Sequence, residues 1–149
     1  MYAKSNRKSI GVTMNAKHYV SLEVAKLLKE KGYNEECYLY YKKEDPALYY
    51  RELYNRNSER DDIISCPSLL EAMDWLEERG MHVEIRMPQL KVLTTSYKDK
   101  YKYEYYFVIY SDDTDIFPIS EYSDGSYYLT YPDRYECMNA AIMKGVELL

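Results

Sequence analysis

The sequence predicts an α+β domain: a small, mainly antiparallel sheet of four to five strands packed by two to three helices, in the order α-β-(excursion)-α-β-β-β-β-α. Three observations carry that expectation. Three segments repeat apolar residues at three- and four-residue spacing behind a capping residue. The segments after them alternate apolar with polar residues or are rich in tyrosine and β-branched side chains. In the C-terminal half the connections carry Asp, Ser and Gly, and such short links join antiparallel neighbours rather than crossing over.

The first helix is expected from Ser21 to Lys31. Ser21 caps it, Leu22, Val24, Ala25, Leu27 and Leu28 form the apolar stripe, and Gly32 closes it. Cys37-Tyr38-Leu39-Tyr40-Tyr41 then reads as a strand. From Lys42 to Ser65 the pattern weakens. Asp45-Pro46 suits the start of a short helix through Tyr50 and Leu53, an irregular loop suits it equally, and Arg56 to Asp62 alternates charge without an apolar face and is expected in water.

The second helix is marked best. Ser68 and Glu71 have the spacing of a reciprocal capping box, Leu69, Ala72, Met73 and Leu76 share a face beside Trp75, and Gly80 ends it. Met81 to Met87 alternates as a half-buried strand and stops at Pro88. Tyr103 to Tyr110 is apolar on both alternate sets, which predicts a strand covered on both faces. Asp112 to Asp115 reads as a turn, and Ile116–Glu121 with Ser126–Tyr131 as two short strands joined at Ser123-Asp124-Gly125. The last helix starts at Asp133, with Glu136 placed for a second capping box, and Met138, Ala141, Ile142, Gly145, Val146 and Leu149 recur along one side. Gly145 costs that helix about 1 kcal/mol in propensity relative to Ala, so a close approach to the sheet is expected there. The two segments Ser21–Gly32 and Ser68–Gly80 are alike, but convergent amphipathic design accounts for that as well as duplication does.

At 149 residues the chain is one domain's worth, read as a basic N-terminal leader over residues 1–20 and a single α+β domain over 21–149. The net charge of -5 argues against a general polyanion binder, because nucleic-acid affinity begins with neutralised phosphates. Up to His18, however, Lys4, Arg7, Lys8 and Lys17 stand without an acid, either as an arm that touches phosphate or an acidic partner or as a solvated leader. Cys37, Cys66 and Cys137 are odd in number and widely spaced, which predicts free thiols in a reducing compartment. No apolar run has the length of a secretory signal or a membrane span, so the expected location is the host-cell cytoplasm and no membrane partner is expected. The compositional anomaly is tyrosine, at 20 residues against 2 Phe and 1 Trp. A tyrosine ring buries while its hydroxyl stays at water, or it offers a rigid amphipathic contact to a partner.

Ser21-Leu22-Glu23-Val24-Ala25-Lys26-Leu27-Leu28-Lys29-Glu30-Lys31-Gly32-Tyr33, Cys66-Pro67-Ser68 through Trp75-Leu76-Glu77-Glu78-Arg79-Gly80, and Tyr135-Glu136 through Ala140-Ala141-Ile142 follow one another in an informative order. In that order the chain after Val20, apart from the Lys42 to Ser65 segment, resembles an uncharacterised family of small phage and mobile-element accessory proteins. The resemblance implies a context and no activity. From Ser68 to Leu149 the order of elements is also similar to double-stranded-RNA-binding domains. The final helix departs from them, because Asp133, Arg134 and Glu136 stand where that family presents lysines to phosphate.

No constellation of reactive residues stands out. His18 and His82 have no Cys, Asp or Glu at metal-ligand spacing, and His82 is expected to be structural or solvated. The five glycines never cluster, so no phosphate-cradling loop is expected. Asp112, Asp113, Asp115 and Asp124 suit a divalent cation only if their turns converge, and suit turn geometry without that condition. Cys66 precedes the second helix, where a dipole favours a thiolate, but no histidine is near it in sequence. The remaining patch interleaves bases and aromatics: Tyr97, Lys98, Lys100, Tyr101, Lys102, Tyr103 and Tyr105 form either a stacking platform for single-stranded nucleic acid or a lysine-guarded edge strand. These features predict a non-catalytic accessory module that binds a protein, with no cofactor and no metal, and with self-association open at Leu148-Leu149 and the tyrosines. The alternative is a nucleic-acid binder using the basic leader and the Tyr97–Tyr105 ribbon. A small enzyme or a small-molecule or metal binder comes third.

Overall fold

Local capping chemistry sets where the three helices begin. The computed structural model describes residues 8–9, 15–87, 104–113, 118–121 and 129–149. Ser21 Oγ accepts from the Val24 amide at the head of α1 (Leu22–Glu30). Ser68 and Glu71 make the reciprocal box at α2 (Leu69–Glu77). At α3 (Arg134–Glu147) the Asp133 carboxylate alone serves both the Tyr135 and Glu136 amides. Gly32 and Gly80, at φ +92° and +79°, take the left-handed conformation that ends α1 and α2. Among the described residues no helix is long and apolar enough to cross a membrane.

The strands fall into two antiparallel sheets. One has the order β1-β3-β2-β4, built from β1 (Lys8–Ser9), β2 (Cys37–Lys42), β3 (Asp45–Asn55) and β4 (Ile63–Ser65). The other pairs β5 (Met81–Arg86) with β6 (Tyr106–Ser111). On the far side of β6, Ile119 and Tyr131 make only isolated antiparallel bridges, to Ile109 and Tyr105, so among the described residues the two further short strands expected over Ile116–Glu121 and Ser126–Tyr131 are not formed. The turn expected at Ser123-Asp124-Gly125 lies outside the described residues. The leader is joined to the domain: Lys8–Ser9 pairs with Tyr50 and Tyr49, a 3-10 turn at Ala16–His18 packs on α3, and Val20 is buried.

The segment 42–65 corrects the sequence reading. It holds neither a helix nor an irregular loop at Asp45–Leu53, but β3, which closes a hairpin on β2 through Lys43 and Glu44, the latter at φ +66°. Pro46 is tolerated at the second position, where an amide is needed on one side at most. Between the pairs Cys37–Asn55 and Leu39–Tyr50, β3 carries three more residues than β2. That bulge breaks the two-residue alternation by which a strand is recognised in sequence.

Charged side chains of 56–62 lie largely at the surface, as expected, but Asn57 turns inward. Its Nδ2 donates to the Tyr33 carbonyl and its Oδ1 accepts from the Ser65 amide. Asn55 repeats the device: it donates to the Cys37 and Leu39 carbonyls and accepts from Ser65 Oγ. These two amides tie the end of β3 and the following turn to β2 and β4 through groups that would otherwise be buried without partners.

The interior lies where α3 meets α1, α2, β5 and β6. Val24, Leu28, Trp75, Leu76, Phe107, Ile142 and Val146 are buried in it. Gly145 does make a close approach, but to α2 rather than to a sheet: a Cβ built there would stand 2.9 Å from Leu76 Cδ1. Ser21 and Asn139 lock α1 to α3, the Ser21 amide donating to Asn139 Oδ1 and Asn139 Nδ2 to Ser21 Oγ.

Candidate functional site

Strand alternation divides β2 into two faces. Cys37, Leu39 and Tyr41 join the interior, and the Tyr41 hydroxyl donates to the Val20 carbonyl at 2.7 Å. Tyr38 and Tyr40 point the other way with opposite outcomes. Tyr40 is buried and stacks on Tyr49, whose ring carries the Lys42 ammonium at 4.4 Å and whose hydroxyl donates to Asp45. Tyr38 is 44% exposed. The bulge in β3 brings Tyr54 and Tyr50 alongside it, with ring centroids 4.7 and 6.5 Å away, and Tyr54 is 54% exposed. The hydrogen bond to Tyr54 is the main reason that the Tyr38 phenol is held above its ordinary pKa. Glu36 and Arg56, the residues two before Tyr38 and two after Tyr54, form an ion pair beside the rings. The result is a contiguous aromatic surface with a charged rim, the combination that supplies anchoring contacts in protein interfaces.

Of the residues singled out in the sequence, Tyr97, Lys98, Lys100, Tyr101, Lys102, Tyr103, Lys4 and Arg7 lie outside the described residues. Tyr105 is half-buried against the interior and paired with Tyr131. Lys8 contributes backbone to β1. Lys17 is exposed, its ammonium 5.0 Å from the Tyr135 ring centroid. Lys17 and Tyr135 help line a cleft of about 380 Å³ between the 3-10 turn and the start of α3. Ser21 and Asn139 in its wall are bonded to each other, and Asp133 caps α3, so much of its polar lining serves the helix joints.

His82 finds partners remote in sequence. Its Nε2 is 2.8 Å from Asp112 Oδ1 and its Nδ1 3.6 Å from Glu77 Oε1. With a carboxylate at each nitrogen the doubly protonated ring is favoured, and the Asp112 bond first, then the nearby charges of Asp112 and Glu77, raise its pKa above the ordinary 6.5. The carboxylates sit on opposite sides of the ring and do not converge on a point. A histidine raised on folding adds stability in full below its unfolded pKa and loses it as pH rises through the folded value. An NMR titration of the His82 ring is therefore expected to give a midpoint above that of a free histidine, and Asp112→Asn to bring it back down. An unshifted wild-type ring would refute the contact.

Cys37, Cys66 and Cys137 are free and buried. Burial pushes the Cys37 and Cys137 thiols up to about 12, and raises that of Cys66 as well, so its place before α2 does not activate it. No thiol is expected to react rapidly with a disulfide reagent at mildly alkaline pH in the native protein, whereas all three should react in denaturant. A fast native thiol would contradict this burial. Among the described residues no group of three or more His, Cys, Asp or Glu side chains is arranged to hold a metal ion. Asp112 is bonded to His82, the Asp113 amide bonds Ser111 Oγ as in a turn, and Asp115 and Asp124 lie outside the described residues.

No family model, curated protein or solved structure matches the chain.

Proposed function

We propose that the chain is a non-catalytic binding module of the phage or mobile-element accessory kind, acting on another protein in the cytoplasm of a host cell. The observation that supports this most is the pair of exposed rings Tyr38 and Tyr54, backed by the half-buried Tyr50 and with the Glu36–Arg56 pair at the rim. Tyrosines present large rigid area at small entropic cost, and arginine beside them adds directional hydrogen bonds. The phage context rests on the sequence resemblance alone. The proposed contact lies on the four-stranded sheet rather than on the Tyr97–Tyr105 ribbon.

A salt titration tests the reading. Immobilised chain is exposed to host lysate and washed at rising ionic strength. A protein partner held through aromatic surface is expected to stay bound from low to moderate salt, since apolar contact is little screened. Nucleic acid released steeply over the same range, with no protein retained, would replace this reading by phosphate binding.

A further inference from the structure

The two sheets guard their edges unequally. Among the described residues the four-stranded sheet ends in β1 and β4, of two and three residues. β5 is six residues long, runs in unbroken register with β6, and carries no proline, lysine or bulge. Ladder geometry fixes which of its backbone groups point away from β6. The Asp112 amide donates to the Gly80 carbonyl, so the alternation of an antiparallel ladder makes His82–Tyr110, Glu84–Val108 and Arg86–Tyr106 the hydrogen-bonded pairs. Ile109 agrees, because its amide and carbonyl both bond Ile119 on the far side of β6. Met81, Val83 and Ile85 therefore turn their amides and carbonyls outward. Among the described residues no strand takes them up.

We propose that this edge pairs with the β5 edge of a second copy of the chain, antiparallel and centred on Val83. The outward groups of Val83 then bond their own counterparts, and those of Met81 bond Ile85. Side-chain pairing favours this register over those centred on Glu84 or His82. Centred on Val83, Met81 lies opposite Ile85 and His82 opposite Glu84, so apolar meets apolar and a histidine ring meets a carboxylate. Centring on Glu84 sets Glu84 against itself and His82 against Arg86, and centring on His82 sets that ring against itself. The pairing joins two ribbons into one sheet β6-β5-β5-β6 across a two-fold axis, and a two-stranded ribbon is the kind of sheet that gains most from more strands. The tyrosine surface lies on the other sheet, so this inference does not depend on it.

Sedimentation of the full chain over rising concentration is expected to show a monomer–dimer equilibrium. Hydrogen exchange at the Met81, Val83 and Ile85 amides should slow as the dimer fills. Glu84→Lys, a change at an exposed side chain, sets an ammonium opposite His82 in both halves of the pairing and is expected to weaken the dimer about tenfold. Glu84→Gln should weaken it less. A chain that stays monomeric at every concentration overturns the proposal, as does a dimer indifferent to Glu84→Lys or one that leaves the β5 amides unprotected. Protection of those amides only by a captured protein would also overturn it, assigning the edge to a foreign strand.

Discussion

Gly145→Leu is expected to destabilise the protein by about 3 kcal/mol, the upper end of the usual cost of overpacking. The reason is the α2–α3 contact. A Cβ at Gly145 would already stand 2.9 Å from Leu76 Cδ1, and Leu76 is fully buried, so an added isobutyl group has no vacant space to enter. In a domain of this size that corresponds to a fall of roughly 5–10 °C in thermal midpoint. Gly145→Ala separates crowding from propensity. Its methyl meets only the mobile end of Leu76, and a gain of about 1 kcal/mol in helix propensity offsets the contact, leaving the midpoint nearly unchanged. Leu76→Ala alone should cost roughly 2–5 kcal/mol through the cavity it leaves. Combined with Gly145→Leu it should cost less than the two changes added, because the new side chain fills that cavity. Strict additivity in denaturant midpoints would show that the two positions do not meet.

Asn55→Ala carries the second large effect. Its side chain is buried and serves the Cys37 carbonyl and the Ser65 hydroxyl at once. Truncation orphans both groups out of reach of water, at ~1–3 kcal/mol each, so a loss of roughly 2–6 kcal/mol is expected. Asn55→Asp should be no milder, since a carboxylate cannot donate to a carbonyl. Ser65→Ala should be milder, because it removes a hydroxyl and leaves Asn55 its bonds to Cys37 and Leu39. Denaturant unfolding checks the magnitudes. Faster hydrogen exchange confined to β2, β3 and β4 would place the damage where the amide sits, and an unchanged midpoint would refute the clamp.

These cases mark where the fold was legible in the sequence and where it was not. A helix cap is a contact across three residues, so Ser21, Ser68 and Asp133 announced α1, α2 and α3 before any packing was known. β3 was hidden because its bulge breaks the alternation and because Asp45-Pro46 imitates a helix start. Asn55 and Asn57 bond backbone groups that pairing brings close from 8 to 24 residues away, and no local pattern reports that. Gly145 was recognisable as a close approach, but its neighbour, Leu76 on α2, lies too far off in sequence for a local pattern to report.

The candidate site was half legible. The tyrosine excess pointed to an amphipathic surface, and interleaved lysines drew attention to Tyr97–Tyr105. The exposed rings among the described residues include Tyr38 and Tyr54 instead. One signal pointed to Tyr38: it falls on the opposite alternate set from Cys37, Leu39 and Tyr41, the strand's inward face. Nothing comparable marked Tyr54, whose position follows from the bulge. His82 also gave no warning, since Asp112 lies 30 residues away and meets it only through the β5–β6 pairing.

The most direct measurement of the proposed role compares Tyr38→Ala/Tyr54→Ala with the wild type in two readouts, thermal midpoint and retention of the captured partner at moderate salt. Both residues are about half exposed and lie outside the core cluster, so the account predicts a midpoint close to that of the wild type together with loss of the partner. A double variant that keeps its partner, or one that unfolds well below the wild type, would show that these rings serve the fold and not recognition.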